Sequence, residues 1–181
     1  PDDEARNGME ITDERWPEDI ANTVQIVFET VDNTDPFSEE NIRNLHAFSN
    51  EINQIEKTNY VYNYAYFDTN FSLEDVISFW DETNDNLLSE DEKIMLDLQR
   101  EFHRASSIGN NGVIVVHVGI DGDQASESSR NVVKEIRNLD SKSSQFGGTA
   151  VVNVAGLAAY NQDVLDAVVE KMPIAIGFIL I

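Results

Sequence analysis

Six positions in the acidic stretch Asp81–Glu92 could converge on a hard cation. Asp81, Thr83, Asp85, the Leu87 carbonyl, Ser89 and Glu92 fall at places 1, 3, 5, 7, 9 and 12 of a twelve-residue segment. Calcium takes about six to eight oxygens at roughly 2.3–2.6 Å, usually closed by a bidentate carboxylate, and Glu92 stands where that carboxylate belongs. Asn86 occupies the place where the sharp turn wants glycine, although asparagine tolerates the left-handed conformation. The competing assignment is a helix–turn–helix in which Ser89 is simply an N-cap.

With a helix expected on either side, this spacing resembles an EF-hand loop, carrying Thr83 where Asp or Asn is usual and lacking a second copy to pair with. Other residue types give less. His46, His103 and His117 are scattered without metal-ligand spacing. The glycines form neither a dinucleotide fingerprint nor a phosphate loop. Ser106, Ser107, Ser126, Ser128 and Ser129 lack the context of an activated nucleophile. Carboxylates are too many for one acid/base couple to stand out. No ground for an enzyme emerges.

Tyr60, Tyr62, Tyr64 and Tyr66 alternate in TNYVYNYAYF, which the period of two reads as a strand over Thr58–Phe67. The tyrosines then share one face, with Val61, Ala65 and Phe67 on the other. Such a ladder could meet a flat or greasy ligand, but cross-strand packing is its commoner use.

The elements that would position these groups follow from periodicity. Thr23–Val31 alternates as a strand. A helix from Ser38 has its apolar face on Ile42, Leu45, Phe48 (or Ser49), Ile52 and Ile55. Ser72–Trp80 and Ser89–Ser106 are capped helices, the second with an expected core face of Ile94, Met95, Leu98, Phe102 and Ala105. Val113–Ile120 is a central strand, Gln124–Leu139 a helix burying Val132, Val133 and Ile136, and Thr149–Ala155 a strand. A last helix from Gly156 would bury Leu157, Val164, Val168 and Met172. The expected fold is α+β, a ferredoxin-like split β-α-β sandwich with a helical insertion at 70–112 and a C-terminal helix leading into a truncated transmembrane segment. Residues 1–21 are an acidic lead-in expected to be flexible, with Trp16 as a local anchor; 22–172 form one domain.

Composition narrows the partners. Thirty-four acidic residues against twelve Lys and Arg give a net charge of −22. Nucleic acid is a poor partner, since phosphates require basic residues to displace their counterions, and an anionic membrane surface is repelled. A solvated acidic surface or adaptation to high salt both fit; at 1 M salt the Debye length is about 3 Å. Zero cysteines remove disulfides and thiolate sites. Pro1–Pro17 has neither the basic nor the apolar part of a secretory signal. The run Pro173–Ile181 is uncharged; nine helical residues rise about 14 Å, under half of a hydrocarbon core of about 30 Å. It is expected to be the first part of a membrane-crossing helix.

TAVVNVAGLAAYNQD over Thr149–Asp163, followed by LDAVVEKMPIAIGFILI over Leu165–Ile181, resembles the end of the first extracytoplasmic domain in the MMPL branch of the RND transporter superfamily. TVQIVFE, DPFSEENIRNL and NGVIVVHV are similar in character, so the likeness spans Asn22 to Ile181. The insertion at 70–112 and the acidity depart from the family pattern, which leaves subfamily and substrate open. The resemblance implies a ferredoxin-like porter domain on the outer side of the cell membrane, in a proton-driven exporter of lipids or other hydrophobic compounds. Its partners would be the transmembrane helices and second porter domain of the same chain and a lipid substrate, with a homo-oligomer also open. The domain would need no cofactor unless Asp81–Glu92 takes calcium. Tyr60, Tyr62, Tyr64, Tyr66 and Phe67 are the candidates for lining a passage. A calcium-binding or ligand-binding ferredoxin-like regulatory module is the alternative.

Overall fold

Alternation of apolar and polar residues builds a four-stranded sheet, and a computed structural model describes it over residues 22–30, 35–108, 113–140 and 150–179. Expectations for the lead-in with Trp16, for 141–148, for Gly109–Gly112 and for Leu180 and Ile181 lie outside the described residues. Strands β1 (Thr23–Thr30), β2 (Thr58–Tyr62), β3 (Val113–Ile120) and β4 (Ala150–Ala155) pair in the order β2-β3-β1-β4, every pair antiparallel. Val24, Ile26 and Phe28 of β1 and Ile114, Val116, Val118 and Ile120 of β3 are buried on one face. The period of two that sorts them is the one visible in the sequence.

Helices α1 (Glu39–Asn53) and α4 (Glu127–Asp140) fall on either side of the insertion and complete that core. α1 contributes Ile42, Leu45, Phe48 and Ile52, and α4 contributes Val132, Val133 and Ile136. Phe48 meets Phe28 edge-on, with centroids 5.2 Å apart, an arrangement that suits the aromatic quadrupoles. Ser38 caps α1 by accepting from the Asn41 N–H at 3.4 Å. The insertion consists of α2 (Leu73–Trp80), a 3₁₀ turn (Glu82–Leu87) and α3 (Glu90–Ser107). Ser72 with Asp75, and Ser89 with Glu92, form capping boxes at the two helix starts, each satisfying two otherwise orphaned backbone donors. A final helix, α5 (Leu157–Ile179), follows β4.

Three expectations are corrected. The strand expected over Thr58–Phe67 stops at Tyr62. Asn63 and Tyr66 exchange both backbone hydrogen bonds at 3.0 and 3.1 Å, closing a turn. The fully buried Asn63 stabilises it: its Nδ2 donates to Ser49 Oγ at 2.8 Å and its Oδ1 accepts from the Ala65 N–H at 2.9 Å. A side-chain amide that satisfies nearby backbone in this way competes directly with the sheet ladder.

On α3, the expected core residues Ile94, Met95, Leu98, Phe102 and Ala105 are exposed, and Arg100 and Ser107 are buried instead. The helix is anchored by polar groups, Arg100 to Asp85 and His103 to Tyr62. On α5, the expected core positions Leu157, Val164, Val168 and Met172 are exposed. The small residues Ala158 and Ala159, with Gln162, are buried. Arg137 of α4 grips Asp163 through two bonds of 2.7 and 3.1 Å. From Asp163 through Ile174 every residue of α5 is exposed, and the helix runs on through Pro173.

Candidate functional site

The five aromatic residues proposed to line a passage divide into two groups. Tyr60, Tyr62 and Phe67 border a cleft of about 300 Å³, together with Asn53, Asn59, Val61, Asp68 and Thr69. Tyr60 is held there by close approach to β3. Its ring lies where a Cβ on Gly119 would be, 2.1 Å from the ring carbon Cε1, so only glycine fits opposite it. Its hydroxyl is 3.1 Å from Thr23 Oγ1.

Tyr64 and Tyr66 are structural. Tyr64 is fully buried against Phe37 and Trp80 and donates to the Pro36 carbonyl at 2.7 Å. Burial raises its phenol well above the ordinary range, with Asp35 adding to the effect. Trp80 Nε1 donates to the Tyr64 carbonyl at 2.9 Å. Tyr66 packs on His46. The turn at Asn63 changes which side each tyrosine faces, and periodicity alone carries no sign of it.

Behind Tyr62 sits a polar cluster that spacing in the sequence did not reveal. Tyr62 Oη lies 2.9 Å from His103 Nδ1 and 3.0 Å from Ser106 Oγ. Ser106 Oγ donates to the His103 carbonyl, so the Tyr62 hydroxyl donates to Ser106 and accepts from His103 Nδ1–H. That assignment gives each proton an acceptor. His117 Nε2 donates to the Ser106 carbonyl at 3.1 Å. Phe67 stacks on His103 with centroids 4.1 Å apart, and Phe79 meets it edge-on. Ser106 therefore faces a phenol and a carbonyl, and the cluster joins α3 to β2 and β3.

Burial lowers the His103 pKa below 6.5, and His46 is lowered for the same reason. The unfolded chain takes up these protons near the ordinary value while the folded chain resists them, so stability is present above about pH 6.5 and is lost as pH falls below it. Carboxylates with depressed values, such as Asp75 and Asp81, act only at lower pH. The melting temperature is expected to fall between pH 7 and pH 5, and His103→Gln should reduce that slope. An unchanged slope would remove His103 as its source.

The Asp81–Glu92 oxygens do not converge. Asp81 Oδ1 accepts from the backbone and hydroxyl of Thr83 at 3.0 and 2.6 Å, capping the 3₁₀ turn. Asp85 is held by both terminal nitrogens of Arg100, and that hydrogen bonding holds its carboxyl below the usual range. Glu92 folds back onto Ser89, whose N–H and hydroxyl donate at 2.8 and 2.6 Å. Leu87 is 91% exposed. Among the described residues no group of three or more His, Asp or Glu gathers in a metal-binding arrangement. Calcium would have to unwind the 3₁₀ turn and pull Asp85 from Arg100. Millimolar calcium is accordingly expected to leave the melting temperature unchanged; a rise abolished by Asp81→Ala would show that the loop rebuilds around the ion.

A second hollow, of about 600 Å³, is lined by Phe37, Trp80, Asp35, Glu39, Ile42, Ile77, Asp81, Glu82 and Arg104. Arg104 fills its aromatic wall, with the guanidinium carbon 4.9 Å from the Phe37 centroid, a favourable cation–π distance.

No family model matches this chain, and no curated protein matches it.

Proposed function

We propose that this chain is an extracytoplasmic, ferredoxin-like porter domain of an RND/MMPL-type exporter of lipids or other hydrophobic compounds, acting at the cell membrane. The carrying observation is α5. Anchored at its base, it leaves the sheet as a bare helix whose far half exposes Val164, Leu165, Val168, Val169, Met172, Ile174 and Ile176. Soluble surfaces seldom display so continuous an apolar face without a lipid or protein to cover it. Among the described residues no helix is long and apolar enough to cross a membrane; the proposal places the end of α5 from Pro173 against the membrane.

Two features support the assignment. The element order β1-α1-β2, then an insertion, then β3-α4-β4, with strand order β2-β3-β1-β4, is what a split β-α-β sandwich requires. The cleft of Tyr60, Tyr62 and Phe67 is close to the lower size limit for ligand sites, about 300 Å³, and would shelter one apolar end of a substrate. The domain would bind and pass substrate without chemistry of its own, while proton coupling resides in membrane helices.

The test uses the full-length gene product. It is expected in the membrane fraction after an alkaline wash, with this domain open to protease from the outer side. Mass spectrometry should find copurified lipid, reduced by Tyr60→Ala. Recovery of the full-length protein in the soluble fraction would refute the proposal.

A further inference from the structure

We infer that the outward face of α3 is a docking surface for an amphipathic helix of a partner protein whose apolar stripe is bordered by Lys or Arg. The inference is independent of the membrane assignment. α3 is turned inside out relative to an ordinary surface helix. Ile94, Leu98 and Phe102, spaced i, i+4, i+8, are 57%, 63% and 66% exposed, and Met95 beside them is 60% exposed.

The helix cannot roll to bury this stripe, because its inner face is fixed by polar contacts. Arg100, 3% exposed, binds Asp85 and donates from Nε to the Phe79 carbonyl at 2.7 Å. His103 is tied to Tyr62, and Arg104 lies over Phe37. Hydrophobic collapse within the domain would thus break these bonds.

Charge identifies the occupant. α3 carries five carboxylates and three basic residues. Each basic residue is engaged by a carboxylate of the same helix, Lys93 by Glu90 at 3.0 Å, Arg104 by Glu101 at 3.1 Å and Arg100 by Asp97 at 3.7 Å, which leaves the helix net acidic. Glu90, Asp91, Asp97 and Glu101 are exposed, as is Glu92, which is folded back onto Ser89, whereas Lys93, Arg100 and Arg104 are half-buried or buried. A molecule seated on Leu98 and Phe102 therefore meets carboxylates and no free cation of α3 at the rim. An apolar stripe bordered by Lys or Arg is complementary to it in both respects, as in helix-in-groove recognition. A second copy would bring five carboxylates against five in a chain of net charge −22. The other exposed apolar helix, α5, sets Asp163, Asp166 and Glu170 against Lys171 and so lacks the complementary charge. An anionic bilayer is repelled.

The test uses two synthetic 18-residue Leu/Lys peptides of identical composition, one with leucine on a single helical face and one scrambled. Binding to the whole chain is measured by fluorescence anisotropy at about 0.15 M salt. The double variant Leu98→Ser/Phe102→Ser conserves charge and alters side chains that are 63% and 66% exposed. Phe102 meets His103 edge-on with centroids 5.6 Å apart, so the variant's melting temperature should fall by only a few degrees and it should remain folded at the assay temperature. The amphipathic peptide is expected to bind the parent at least tenfold tighter than the scrambled one, and the double variant should lose that preference. A Leu/Glu amphipathic peptide should not bind. Equal binding of the two Leu/Lys peptides, or a preference that survives in the double variant, overturns the inference. So does sedimentation showing a dimer that the double variant abolishes, or flotation with neutral vesicles that depends on Leu98 and Phe102.

Discussion

Replacing Arg100 by alanine is expected to destabilise the domain by about 2–4 kcal/mol, a fall in melting temperature of about 5–12 °C for a chain of this size. The guanidinium is almost fully enclosed and makes three directed contacts, two to Asp85 and one to the Phe79 carbonyl. Asp97 lies 3.7 Å away as a weaker fourth contact. Removing the side chain leaves the Phe79 carbonyl without this donor and frees the 3₁₀ turn from α3. Lysine should not rescue the loss, because a point-like ammonium cannot reproduce the two-pronged grip. Asp85→Ala should also destabilise, since it strands a buried positive charge. Hydrogen exchange distinguishes this from a general loosening: protection should fall first in α2, the turn and α3, while β1 and β3 remain protected. Uniform loss across the sheet would contradict it. Acidification should mimic the variant: the Asp85 contribution is present above the ordinary carboxylate range and is lost as pH falls through its depressed value.

Gly156→Ala is expected to be nearly as damaging, at about 2–4 kcal/mol. Gly156 has φ of 119°, and a Cβ there would lie 2.9 Å from the Thr23 carbonyl oxygen and 3.2 Å from Val24 Cα. Both atoms belong to β1, a central strand paired on both sides, so the backbone has little room to yield. Gly122 supplies the control. It has φ of 104°, but a Cβ there meets nothing closer than 3.7 Å. Gly122→Ala therefore carries the conformational penalty without the clash and should lose at least about 1 kcal/mol less. Thermal melts of the two variants decide the matter; equal losses would mean that β1 shifts to accept the methyl group.

Where periodicity, capping and burial agree, the elements were legible in the chain. Val24, Ile26 and Phe28 alternate, and Ile42, Leu45, Phe48 and Ile52 recur at helical spacing; each set forms part of the core. Ser38, Ser72 and Ser89 cap the helices that their positions announce. Failures came where a long-range polar contact outweighed an apolar pattern. Asn63 ends β2 because Ser49, fourteen positions earlier, accepts its amide. α3 shows its apolar side to solvent because Asp85, Tyr62 and Phe37 hold Arg100, His103 and Arg104 on the other. Its outward stripe is locally indistinguishable from a core stripe, so only tertiary contacts decide which way it faces. Within the candidate cleft, Tyr60, Tyr62 and Phe67 were readable as aromatic positions on or beside one strand. The His103–Tyr62–Ser106 cluster was not, since forty-one positions separate the first two.

The rigid base of α5 has a mechanical consequence. Gly156 wedges the helix start against β1, and the Arg137–Asp163 pair clamps it two turns later. Beyond that clamp about 16 residues rise for roughly 24 Å at about 1.5 Å each. A tilt of the clamped turn by about 10° would sweep the tip through about 4 Å, enough to displace one side chain's width of whatever is fastened there. Any small shift of the central strand would therefore be magnified along the exposed length of the helix.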